Sequence, residues 1–285
     1  MTAVLPALAS AACYGAADFL GGLAARRAHT LPVVALAQLS GLIALGLVLP
    51  FLPASSPTDR DWMWGAAAGL TGGVGVALLY RALAIGSMAV VAPITAVCAV
   101  TVPVAASIAL GERLGAGTLS GIGLALVAIV LVSRQKTADA DPGVAGLARG
   151  RAVVTAFASG VAIGLFFLTL ARTSPDAGMW PLVAARGLSS AMFVALAFAK
   201  HGTMRMPPRI GTMVVAAGVV DVLANVFYLL ASRYGPLSVV VTLSSLYPAS
   251  TVLLARFVLA ERLSASQTAG VACALAAVML IVGTR

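Results

Sequence analysis

Gly111-Glu112-Arg113-Leu114 and, at a spacing of 149 residues, Ala260-Glu261-Arg262-Leu263 are the stretches on which the architecture turns. Slid against itself by that offset, the chain aligns without a gap. Pro32 falls on Pro181, Gly69 on Gly218, Gly86 on Gly235 and Gly121 on Gly270. Between 86–134 and 235–283 there are 14 identities in 49 positions. Ala, Val and Leu matches arise by chance in so apolar a chain; a Glu-Arg-Leu match at one constant offset does not. The chain is therefore an internal duplication.

Around those stretches the composition is that of a membrane protein. Of 285 residues, 61% are apolar and 9% charged, against about 25% charged in a soluble domain. Apolar runs long enough to cross a bilayer lie near 3–24, 31–52, 62–81, 88–110, 116–133, 151–171, 179–199, 210–231, 237–259 and 264–283. Charged or turn-forming clusters such as Arg26-Arg27-Ala28-His29 and Lys200-His201-Gly202 separate them. The expectation is an all-α membrane protein of ten transmembrane helices. A soluble enzyme, a nucleic-acid-binding domain and a disordered chain are excluded. The polar stretch at 134–150 is the seam, dividing a first five-helix repeat (1–134), a connecting loop (135–150) and a second repeat (151–285). The run from Val4 to Ala24 has no basic residue ahead of it and an Asp inside it, so it reads as a retained first helix. Cys13, Cys98 and Cys273 are isolated in apolar runs, without metal or redox spacing. No metal or cofactor is expected.

Five spans per half is an odd number, so the second half enters the membrane from the opposite side and the repeat is inverted. Two oppositely oriented copies of one unit interconvert between two states of similar energy by exchanging roles, which opens the space between them first to one side and then to the other. That expectation is transport. Gly69, Gly72, Gly73 and Gly75 crowd the third run, letting helices approach closely. Pro93, Pro103 and Pro248 interrupt apolar helices and either kink them or free carbonyls along a polar path.

Ionisable residues inside the spans are few, and each costs about 2.5–3.5 kcal/mol at a helix centre on insertion scales. Asp18 shares a helix face with Tyr14, four residues earlier. The pair would bind a substrate amino group or a coupling proton, or Asp18 is neutralised by Arg26, Arg27 or Arg81. Asp221 has Asn225 one turn on and Tyr228 three residues beyond along one stripe. These three line a path or bond between helices. Arg186, whose counterpart is Ala37 beside Gln38, grips a substrate carboxylate or pairs with Asp221. One cation and two anions suit a zwitterionic solute, and Tyr80, Tyr247 and Trp180 would add an aromatic lining.

Tyr80-Arg81-Ala82-Leu83-Ala84-Ile85-Gly86, followed by Val90-Val91-Ala92-Pro93-Ile94, resembles the fourth-helix region of the drug/metabolite transporter superfamily, in particular its EamA-type members. Ser245-Leu246-Tyr247-Pro248 and Leu259-Ala260-Glu261-Arg262-Leu263 resemble the matching segment of the second half, with Gly111-Glu112-Arg113-Leu114 as its first-half counterpart. Ala260, where the first copy has Gly111, departs from the pattern. The resemblance implies a secondary transporter of small metabolites in a bacterial inner membrane, often an exporter of amino acids. Glu112 with Arg113 and Glu261 with Arg262 stand where spans meet water, as gates on opposite faces or as helix-end ion pairs.

The loops after odd-numbered spans carry 11 Lys/Arg and the other face 5. Positive-inside counting thus puts both termini outside, whereas the resemblance more often implies cytosolic termini. No Ser/His, Gly-x-Ser-x-Gly or His-Glu-x-x-His arrangement appears, so an enzyme is not expected. The expected partners are a small solute, the lipid bilayer and coupling protons, for a monomer or homodimer and with no nucleic acid. Efflux of cationic compounds and a non-transporting scaffold are the competing readings.

Overall fold

The computed structural model describes residues 2–52, 55–86, 88–132, 142–250, 254 and 264–283. All the regular structure among them is helical. Its long elements, in chain order, are α1 (Val4–Ala25), α2 (Thr30–Val48), α3 (Asp59–Ile85), α4 (Met88–Ala109), α5 (Ala116–Val132), α6 (Pro142–Leu170), α7 (Trp180–His201), α8 (Pro208–Tyr234), α9 (Leu237–Ser244) and α10 (Ala265–Gly283). The offset of 149 carries the bounds of α3 onto those of α8 without slippage, and the first residues of α4 and α5 onto those of α9 and α10. α1, α2, α3, α6, α7 and α8 are each long and apolar enough to cross a membrane; Ile94–Ala109 of α4, Ala116–Leu131 of α5 and Ala265–Ile281 of α10 are shorter apolar stretches among the described residues.

The ends follow from local chemistry. Thr58 and Asp61 form a capping box at the start of α3, and Ser264 with Gln267 does the same before α10. At the end of α4, Gly111 has φ +93°. Its N–H bonds to Ile108 and that of Glu112 to Ser107, the paired bonds of a Schellman ending that a glycine favours. Two elements depart from the apolar runs. α6 begins at Pro142 rather than near 151, so part of the expected connecting loop is helix. Pro suits a first helical position, and a helix bonded within itself continues past the bilayer. The expected continuous run from 237 to 259 breaks: α9 stops at Ser244, Ser245 and Leu246 form a turn, and helix resumes over 247–250. Pro248 has no N–H to offer the Ser244 carbonyl, which ends the ladder there.

The inversion is legible in which helices touch. α3 packs on α6 as α8 packs on α1, α3 on α7 as α8 on α2, and α4 on α6 as α9 on α1, while α5–α10 and α2–α7 pair across the axis. Gly65, Gly69 and Gly73 of α3 meet Pro181, Ala185 and Ser189 of α7 in the same order along the chain, so α3 and α7 run parallel. α2 precedes α3 by a short connection and runs against it; α7, its counterpart, therefore points the other way. Side-chain bonds repeat as well. Ser10 donates to the Ala224 carbonyl at 2.9 Å and Ser159 to that of Gly75 at 2.8 Å. Thr95 donates to Ala156 at 3.2 Å and Ser244 to Ala7 at 3.4 Å. In each pair both donor and acceptor are 149 residues apart.

Many of the interior positions are alanine, and many large apolar side chains face outward. Ala7, Ala17, Ala68, Ala99, Ala156 and Ala224 are fully buried, whereas Phe51, Met63, Leu47, Val154 and Met279 are more than two-thirds exposed. That is the pattern expected where lipid, as apolar as Leu, supplies the surroundings and close backbone approach supplies the packing.

Candidate functional site

Where the two halves meet, a cavity is lined by α1, α2, α3, α6, α7, α8 and Tyr247. Its volume, about 50 Å³, holds about three to five water molecules. It has two unlike walls. α3 and α6 give an apolar one, including Gly72, Val76, Leu79, Ile163, Phe166 and Phe167; α1, α2, α7 and α8 give a polar one.

Helical spacing places the polar groups. One turn of α1 separates Tyr14 from Asp18, and one turn of α8 separates Asp221 from Asn225. Tyr14 donates to Asn225 Oδ1 at 2.9 Å. Asn225 donates through Nδ2 to the Asp221 carbonyl at 2.6 Å and to Asp221 Oδ2 at 3.3 Å. The Arg186 guanidinium then donates to Asp221 Oδ2 through one nitrogen and to Gln38 Oε1 through another. A polar chain thus runs Tyr14–Asn225–Asp221–Arg186–Gln38 across four helices and both halves. Arg186 with Asp221 is the one ion pair among the described residues. Deep in a membrane such a pair persists because each charge answers the other's desolvation.

Asp18 stands apart from this chain. It lines the cavity and has neither a hydrogen bond nor an ion pair to Arg26, Arg27 or Arg81, the surface bases that the sequence left open as partners; Arg26 instead donates to the Leu83 carbonyl at 3.2 Å. The cavity therefore presents a compensated pair and one uncompensated carboxyl group.

The pseudo-symmetry sharpens the picture. Tyr14 and Ile163, Asp18 and Phe167, Gly72 and Asp221, and Val76 and Asn225 are equivalent positions, and all eight line the cavity. In each pair one member is polar and the other is not. The frame is duplicated, but its chemistry is one-sided.

Of the residues singled out in the sequence, Tyr14, Asp18, Arg186, Asp221, Asn225 and Tyr247 converge on the cavity. Tyr228, Tyr80 and Trp180 are not among its lining residues. Fully buried Tyr228 donates to the Phe167 carbonyl at 2.7 Å and packs on the Phe167 ring at 4.5 Å, which backs the apolar wall. Tyr80 fills the space over Gly21 and joins α3 to α1. Trp180 lies 5.6 Å from Trp62 at the ends of α7 and α3, where indoles sit at a membrane interface. Glu112 accepts a hydrogen bond from Ser238 of the other half, and Arg113 is exposed. Pro248 sets the break in the ninth span, next to Tyr247. Glu261, Arg262 and the Pro93 side chain lie outside the described residues. Gln38 and Ser189 were missed. Gln38 was recognisable as a polar residue in an apolar run, one position from the counterpart of Arg186.

Residues 1–134 and 150–283 each match the sequence profile of the EamA-like transporter family, and the two matches divide near the seam between the halves. No curated protein matches the chain. A solved structure described only as "Crystal structure of protein" superposes with a TM-score of 0.72 at 17% identity, over 98% of this chain and 95% of that one. That likeness is one of fold.

Proposed function

The chain belongs to the EamA-like transporter family, and we propose that it is a secondary transporter that exports a small zwitterionic solute, an amino acid or close relative, by alternating access between its halves. The observation that carries the reading is the uncompensated carboxyl group of Asp18 in the same cavity as the Arg186–Asp221 pair. A substrate ammonium group would take Asp18. Arg186 has five N–H donors and commits one each to Gln38 and Asp221, so a substrate carboxylate can join it without evicting Asp221. The volume suits a solute that replaces a few waters.

Asp18 also supplies the coupling. With no partner among the described residues, it carries either a proton or the substrate's ammonium group, and the two exclude each other. Solute leaving as a proton enters is the resulting antiport, and export follows from an inward proton gradient. A second reading, efflux of organic amines without a carboxylate, draws on the commitment of Arg186 to Asp221.

The test is flux in proteoliposomes loaded with a radiolabelled amino-acid mixture, under an imposed pH gradient. Efflux should accelerate with the gradient in the native protein, and Asp18→Asn should abolish that acceleration. Unchanged gradient dependence in Asp18→Asn overturns the coupling. Accelerated efflux of a simple alkylamine with none of any amino acid replaces the zwitterion reading by the amine one. Absence of any solute flux overturns both.

A further inference from the structure

The halves meet through different chemistry at the two membrane faces. Let the near face be the one where α1 starts and α10 ends, and the far face the opposite one. α3 and α7 start at the near face, where α6 and α8 end. There Asp61, from the first half and only 2% exposed, accepts from the Ser174 N–H at 2.7 Å and the Ser174 hydroxyl at 3.1 Å, both in the second half. The Ser56 N–H donates to the Asp176 carbonyl at 2.9 Å, and Ser238 donates to Glu112. Arg233 reaches from the end of α8 to the carbonyls of Pro175 (3.0 Å) and Gly178. It thereby holds the 174–178 turn in the shape that presents Ser174 to Asp61.

No tie is repeated with both of its partners; only Glu112 keeps its residue type, as Glu261, which lies outside the described residues. At the far face the positions of Asp61 and Ser174 are taken by Ile210 and Ala25, those of Ser56 and Asp176 by Arg205 and Arg27, that of Ser238 by Ala89 and that of Arg233 by Ala84. Ile210 and Ala25 join one apolar cluster, and the rings of His29 and His201 stack at 4.6 Å. Arg26, Arg27, Arg205 and Arg209 are all exposed, so closing this face brings like charges together. Among the described residues, the polar ties between halves at a membrane face are all at the near one.

We propose that Asp61, Ser174 and Glu112–Ser238, with Arg233 as a positioning residue, form a one-sided latch that makes the state shut at the near face the lower in energy of the two access states. The inference rests on the alternating-access reading. A duplicated frame alone would make the two states equal; the latch has to break for the near face to open, and the described residues of the far face offer nothing comparable to lose.

The test needs no identified solute. In the full chain with Cys13, Cys98 and Cys273 replaced by Ser, Ser189→Cys places a thiol in the cavity. A membrane-impermeant maleimide is then applied to sealed vesicles of each orientation. With the latch intact, labelling should be faster from the far face. Asp61→Asn should raise labelling from the near face by about tenfold or more, the least expected for weakening hydrogen bonds to a charged group, with no rise from the far face. Should Asp61→Asn fail to fold, Arg233→Gln and Ser238→Ala carry the same expectation. Unchanged rates, or an equal rise from both faces as in a loosened bundle, overturn the latch and leave the carrier reading standing. A thiol reached from neither face in any variant overturns both.

Discussion

Arg186 is the residue on which the polar wall depends, because it joins α7 to α2 and α8 at once. Removing one partner of a buried pair leaves the other charge unanswered, at a cost of about 3–5 kcal/mol. Arg186→Ala should therefore lower the unfolding temperature of the detergent-purified protein sharply. Arg186→Met with Asp221→Leu should recover most of that loss, since well-packed apolar replacements of a buried pair are often neutral, while solute flux stays abolished. A double variant no more stable than the single one would show that the pair is not what links the helices. That both charges lay inside spans was legible in the sequence. That they face one another, and that Asp18 faces neither of them closely enough to pair, was not: Tyr14 and Asn225, which join α1 to that chain, are 211 positions apart.

Among the elements, the crossings of α3 on α7 and of α8 on α2 set how closely the halves meet. Gly69 lies against the Ala185 backbone and its counterpart Gly218 against that of Ala37, and a Cβ at either would overlap a carbonyl oxygen. Gly69→Ala and Gly218→Ala should each destabilise by about 1–3 kcal/mol through overpacking. Gly123→Ala, in open space on α5, should stabilise by about 0.5–1 kcal/mol by removing backbone freedom. Thermal unfolding of the three variants side by side checks this, and equal shifts for all three would refute the close-approach account. The crowding of glycines in the third run signalled tight packing; their division between two neighbours, with Gly69 towards α7 and Gly72 towards Phe166 of α6, required the helix rotation to be known. The break after Ser244 was announced by Pro248, but the end of the helix ahead of Tyr247 could equally have been a mere kink.

At the level of the whole molecule, ten crossings return the chain to the face from which it started. Reporter tags fused at Met1 and Arg285 should therefore react with an impermeant reagent from the same side of the membrane. Positive-inside counting of the 11-to-5 distribution of Lys and Arg predicts that side to be the outside, whereas the family resemblance implies the cytosol. Tags reacting from opposite sides would contradict the inverted repeat itself; both reacting from the cytosolic side would contradict only the charge argument. The latch bears on the same scale. The near face carries fewer bases and, among the described residues, holds those polar ties between halves that lie at a membrane face, so the two faces of a duplicated fold differ in what opening costs.

What the amino-acid order determined by itself is one-dimensional: the number and length of apolar runs, the offset of 149 between the halves and, from an odd number of crossings, their opposed directions. Each follows from the thickness of the bilayer and from counting. Tertiary structure alone decided which charges neutralise each other, that Asp18 has no partner among the described residues, and that the described contacts between halves are polar at one face and apolar at the other. Those outcomes depend on how each helix is turned about its own axis against a neighbour from the other half. That rotation is set by the summed contacts of many small side chains, and no single stretch of sequence contains it.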